Sequence, residues 1–319
     1  MRKLAKKLTV KNFLILSLAF FILSSAAATA YGFDDDWSAE SYDASLIDSK
    51  IETSNSLSKM ENFKSFYSIL NRRLIKRGWK KEDLCDEKDL VVNRIMREYG
   101  SIFVVADAAV PPPVCMFTSA EAVENFQNEI KITGADIAGT RIELQSAAMK
   151  ALLEARAEAL QKNLNITPRD GAEAGRRNYD DTVRLWKSRF EPACEYWKKQ
   201  GRLTAAQIEK LKSLPVKEQV KEVLILEEQK IYFNKFFNNS ILYSVAAPGT
   251  SQHLSMLALD IDEFNQPAVR EIMAKHGWFQ TVKNDVPHFT FLGHRQADLK
   301  SLGLKEATTA SGKFWIPNA

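Results

Sequence analysis

"PGTSQHLSMLALDID", residues Pro248 to Asp262, places His253 just after a Pro-Gly turn and Asp260 seven residues further on, at the end of an apolar run. The chain has only four histidines, and His276, His288 and His294 all follow within about forty residues. Two readings are open: a C-terminal metal site, or chance clustering in an ordinary domain. Geometry limits the first. A fully extended strand would hold the Cα atoms of His253 and Asp260 roughly 23 Å apart, and a helix would separate them by roughly 10 Å along its axis. If they share a metal, the chain must turn after His253 and then enter a strand that carries Asp260. Otherwise Asp260 is a surface acid after an apolar strand.

A second stretch adds to the metal reading. "HGWFQTVKNDVPHFTFLG" holds Asp285 three residues before His288. Zn²⁺ in hydrolases takes three protein ligands of N and O type and keeps a fourth position for water. A carboxylate outside that shell can then take the water's proton. His253, Asp260 and His288 are the candidate ligands, with Asp285 as the candidate base. No HExxH, G-x-S-x-G or Gly-rich phosphate loop is visible.

These residues resemble the VanY-type D-alanyl-D-alanine carboxypeptidases, of the LAS zinc metallopeptidases. That family carries S-x-H-x-x-G-x-A-x-D and then E-P-W-H, with Gly five residues after the His. Ser251, His253, Ala258 and Asp260 fit the first motif in register, and His288 and Gly293 the second. "AKHGWF" resembles the family's K-x-G-F segment. Upstream, "RRNYDDTVRLW" resembles Y-R-S-Y-x-x-Q-x-x-L-W/Y/F, aligning Arg177, Tyr179, Leu185 and Trp186. The resemblance covers about Arg141 to Gly293, interrupted by roughly fifty helical residues.

The resemblance implies an α+β fold, a small antiparallel sheet flanked by helices, and a Zn²⁺ peptidase acting on peptidoglycan stem peptides. His253, Asp260 and His288 would hold the metal, Asp285 would act as base, Arg177 would pair with the substrate's terminal carboxylate, and Ser251 would add a hydrogen bond to substrate. The chain departs from the family at several positions: Met256 replaces Gly, Asp285 replaces Glu, Pro287 replaces Trp, and Thr182 replaces Gln. Gly reaches left-handed backbone angles without strain and Met does not, so the turn after His253 is expected to differ, unless the family's Gly serves close packing. Two further readings stay open: a non-catalytic cell-wall peptide-binding protein, and an endopeptidase of the same fold.

The rest of the chain fits an exported protein. Arg2, Lys3, Lys6, Lys7 and Lys11 precede the apolar run Phe13–Leu23 and the small-x-small Ala28-Thr29-Ala30, a signal-peptide pattern over 1–30. Eleven apolar residues fall short of the roughly 20 that span a bilayer. The 44 Lys+Arg and 40 Asp+Glu become 39 against 40 once the signal's five basic residues are set aside, so no nucleic-acid footprint remains. A periplasmic or extracellular location is expected. There, Cys85, Cys115 and Cys194 would give one disulfide and one thiol; Cys85 with Cys115 is the preferred pair, and the alternatives stay open.

Residues 31–58 are polar and acidic, a lead-in. Residues 59–120 are expected to form an N-terminal helical accessory region, with a short strand in "SIFVVADAAV". Residues 121–319 would be the peptidase-like domain, with a helical insertion at about 187–239. Arg141 to Leu164 has helical spacing throughout; "LNITP" and "SILYSVAAPG" resemble strands, and Thr204 is placed to cap a helix. His276 and His294 fit no ligand position. Trp278 and Phe291 suit the core, and Tyr179 suits core or pocket.

Overall fold

A computed structural model describes residues 66–78 and 89–318; the signal-peptide and lead-in readings, and Cys85, lie outside the described residues. The fold is mixed, with helices around three small antiparallel sheets. In chain order the elements are helix α1 (66–76), α2 (Leu90–Tyr99), α3 (Ala120–Glu129), strands β1 (Ile132–Ile137) and β2 (Thr140–Gln145), α4 (Ser146–Gln161), α5 (Tyr179–Lys199), α6 (Ala205–Ser213) and α7 (Val216–Glu228). Then come β3 (Ala258–Asp260), α8 (Pro267–Lys275), β4 (Trp278–Phe279), β5 (His288–Phe291), β6 (Leu304–Thr309) and β7 (Gly312–Pro317).

The central sheet has the order β3-β5-β4. Side chains alternate across a strand, and the sequence uses that alternation fully. Leu259, Phe289 and Phe291 join the large core with Ile142, Leu144, Met149, Leu152, Ile272 and Trp278. Asp260, His288 and Thr290 take the other face. Phe66, Leu70 and Met96, from the region expected to be accessory, belong to the same core. A second core joins α2 to α5–α7 through Ile95, Trp186, Phe190, Val220, Val223 and Phe233. Among the described residues no helix is long and apolar enough to cross a membrane.

Several local expectations need correction. The helix expected from Arg141 starts at Ser146. Residues 140–145 form β2 instead, because Ile142 and Leu144 alternate inward and the two-residue turn Ala138-Gly139, both with positive φ, closes a hairpin with β1. "SIFVVADAAV" holds a buried 3₁₀ turn, Gly100–Val104, and "SILYSVAAPG" another, Ile241–Tyr243. An apolar run signals burial in either conformation. "LNITP" contributes only the bridge Pro168 to Ile261. Thr204 caps α6 reciprocally with Gln207.

Cys115 is disulfide-bonded. Cys194, on α5, is a buried free thiol whose pKa burial pushes up to about 12.

Candidate metal centre

The chain turns between His253 and Asp260. A 3₁₀ turn, Gln252–Ser255, carries His253, and Met256 then reverses the chain into β3 with φ 55° and ψ 32°. Met256 itself adopts the left-handed conformation that the sequence was expected to avoid, and its side chain is fully buried. Strand pairing does the rest, because Asp260 lies directly opposite His288 in the β3–β5 register. The turn is anchored from behind by Gly249, whose N–H donates to Thr182 Oγ1 at 3.1 Å. A Cβ on Gly249 would meet the Phe117 carbonyl oxygen at 2.0 Å, so only glycine fits there. Thr182, at the family's Gln position, is thus a support for the turn.

One ligand-type atom from each of His253, Asp260 and His288 lies within 4.8 Å of the others. His253 Nε2 sits 3.1 Å from His288 Nδ1 and 3.4 Å from Asp260 Oδ2, and His288 Nδ1 sits 3.2 Å from Asp260 Oδ1. The outer ring nitrogens decide the tautomers. His253 Nδ1 faces the Gly175 carbonyl at 3.0 Å, and His288 Nε2 faces Gln252 Oε1 at 2.8 Å. Gln252 is itself oriented: its amide nitrogen donates to the Tyr99 carbonyl at 2.9 Å, and its oxygen accepts from the Thr290 hydroxyl. Both outer nitrogens therefore donate, which leaves the inner nitrogens, His253 Nε2 and His288 Nδ1, facing one another and the carboxylate.

Such a cluster of acceptors is stable around a cation. Burial, reinforced by the Arg177 charge, lowers the His253 pKa to about 4, so this imidazole is neutral and ready to ligate near pH 7. Burial works to raise the Asp260 carboxyl, but His253 and His288 beside it outweigh burial and hold it well below the usual range. Two imidazole nitrogens and one carboxylate match a three-ligand Zn²⁺ set, and the residues behind them match the outer partners such ligands need.

The other expected site residues line one cleft of about 180 Å³ with these three: Arg177, Ser251 and Asp285. Asp285 as a whole is exposed, at the mouth. Its carboxyl pKa is raised by the protein packed around the cleft and by the Asp260 charge, against the pull of His288 and Arg177. Its carboxylate accepts no hydrogen bond from the described residues. Arg177 Nη2 donates to Asp260 Oδ2 at 2.8 Å and Nε to the Glu173 carbonyl at 3.0 Å. Sequence reasoning missed Gln252 and Arg189, which also face the cleft; the helical spacing of Thr182, Leu185 and Arg189 was the available signal for the second. His276 pairs with Glu158, and His294 Nε2 donates to the Val104 carbonyl at 3.0 Å. Tyr179, Trp278 and Phe291 are packed in buried clusters. A larger cavity of about 510 Å³, between α2 and α7, shares no lining residue with the cleft and none of the ligand cluster.

No family model matches the chain, and no curated protein matches it. Among solved structures it is similar to a point mutant of the vancomycin-resistance D,D-pentapeptidase VanY from a VanB-type resistance cassette, in complex with Zn(II). The identity is 16%, covering 51% of this chain and 79% of that chain, with a TM-score of 0.31. At that distance the reading of the site rests on the side chains described above.

Proposed function

We propose that the protein is an exported zinc-dependent carboxypeptidase that removes the terminal D-alanine of peptidoglycan stem peptides, on a LAS-type peptidase fold. The observation that carries the metal is the convergence of His253 Nε2, His288 Nδ1 and Asp260, with both outer ring nitrogens fixed as donors. The motif resemblance supplies the substrate class, and the disulfide at Cys115 supports an oxidising compartment.

A bound Zn²⁺ supplies Lewis acidity and lowers the pKa of water toward neutrality. The chain's own residues do the remainder. Asp285, whose carboxylate has no hydrogen-bond partner among the described residues and faces the same cleft, takes a proton from the attacking water and returns it to the leaving amine. Its raised pKa suits that exchange. Ser251, at the rim of the 3₁₀ turn, offers a hydroxyl to the peptide. Gln252 and the Gly175 carbonyl hold the two imidazoles in the ligating tautomer.

The test is metal content and activity on one sample of the mature chain, incubated with a pentapeptide ending in D-Ala-D-Ala. One Zn per chain with released D-alanine is the expected result. A chain that carries no Zn after metal-replete purification sinks the reading. Zn without release points to the second reading, a peptide-binding protein or an endopeptidase.

A further inference from the structure

Two guanidinium groups line the cleft, and they are differently committed. Arg177 is paired with Asp260 and with a backbone carbonyl. Arg189 has no carboxylate partner among the described residues. Its Nη1 donates to Ser188 Oγ at 3.0 Å, and its Nε is buried with no hydrogen-bond partner. It lies on α5 one turn beyond Leu185 and two beyond Thr182, the face that helix turns to the cleft. Leu185, Val245, Ala246 and Val282 line the same cleft. Arg189 is half-buried beside them, and this partial desolvation strengthens the binding of an anion that reaches it.

The cleft of about 180 Å³ is smaller than the roughly 300–1,000 Å³ of drug-sized ligand sites. It suits the end of a chain better than its middle. We infer that Arg189, in place of Arg177, binds the free terminal carboxylate of the peptide and makes the site select chain ends. The inference rests on the peptidase reading for its substrate. Physically it rests on the planar, bidentate match of guanidinium and carboxylate, and on Arg177 being held by Asp260. Arg189 is a specificity-determining residue in this assignment; it moves no proton.

The experiment compares two peptides of one sequence ending in D-Ala-D-Ala, one with a free terminal carboxylate and one amidated. Binding is measured by calorimetry and D-alanine or D-alaninamide release by chromatography, on the zinc-loaded chain, for wild type, Arg189→Ala, Arg189→Lys and Ser188→Ala. Loss of a hydrogen-bonded charge partner is expected to weaken binding by about 10- to 100-fold. Wild type should prefer the acid. Arg189→Ala should lose that preference through KM, with kcat changed less, and with zinc content and melting temperature unchanged. Arg189→Lys keeps the charge without the fork and should fall between; it also decides the matter if the alanine variant does not fold. Ser188→Ala should behave as wild type. An acid preference that survives in Arg189→Ala and Arg189→Lys overturns the assignment, as does a wild type that treats acid and amide alike. A wild type that binds the acid selectively but cleaves neither peptide defeats the peptidase reading alone, and Arg189→Ala then decides the carboxylate site by binding.

Discussion

Along β5 the side chains divide by face, His288 to the cleft and Thr290 to Gln252 behind it, Phe289 and Phe291 to the core. Along α5 they divide by stripe: Trp186, Phe190, Ala193 and Trp197 turn to the second core, while Thr182, Leu185 and Arg189 reach the cleft. The strand face is held by directional bonds, each atom with a named partner. The helix stripe is held mainly by area and volume, with only the indole N–H groups of Trp186 and Trp197 bonded, to Gln219 and to the Tyr232 carbonyl. Damage to the first should therefore show in chemistry, and damage to the second in stability.

The sharpest separation comes from a pair of variants. Asp285→Ala should lower kcat by about 10²- to 10⁴-fold, while zinc stoichiometry and the denaturation midpoint stay at wild-type values. Trp186→Ala should do the reverse. Trp186 is 1% exposed, and removing such a side chain costs about 3–5 kcal/mol, visible in urea denaturation, while the folded fraction still takes up zinc. If Asp285→Ala unfolds the chain, or Trp186→Ala removes the metal without loss of stability, the division between the two regions fails.

Acid should probe the ligand cluster directly. Burial holds the folded His253 pKa at about 4 against an ordinary 6.5, so between those values the unfolded chain binds more protons than the folded one. The metal-free protein should then lose stability as pH falls from about 6.5 to about 4, by up to about 3 kcal/mol. Asp260, held low by the two histidines, adds loss in the same direction at still lower pH. Denaturation midpoints across that range check the slope; stability that rises on acidification would contradict it.

Smaller effects sharpen the comparison. Gln252→Leu removes the acceptor behind His288 and should weaken zinc binding about 10- to 100-fold, measured by competition with a chelator. Met256→Gly sets two terms against each other. Relief of the left-handed angle gains about 1–2 kcal/mol, and deletion of a fully buried side chain loses about 2–5 kcal/mol. Packing wins, and the variant should be less stable by about 1–3 kcal/mol.

Much of the site was legible because its signals are local and chemical. His253, Asp260 and His288 stand out in a chain of four histidines, and a steric argument alone required the turn that Met256 makes. The β1–β2 hairpin was not legible as such. Ile142 and Leu144 also satisfy a helical repeat that continues into Met149 and Leu152, and the strand's alternation spans too few residues to outvote it. The engagement of Arg177 with Asp260 could not be read either, since it joins residues 83 positions apart through a packing no spacing encodes.

The buried thiol of Cys194 has a consequence for the disulfide at Cys115. Disulfide exchange proceeds through the thiolate, and with a pKa of about 12 only on the order of one molecule in 10⁵ carries that thiolate at pH 7. Once α5 has docked, the odd cysteine is chemically silent. The cross-link at Cys115 can then persist without an internal competitor to reshuffle it.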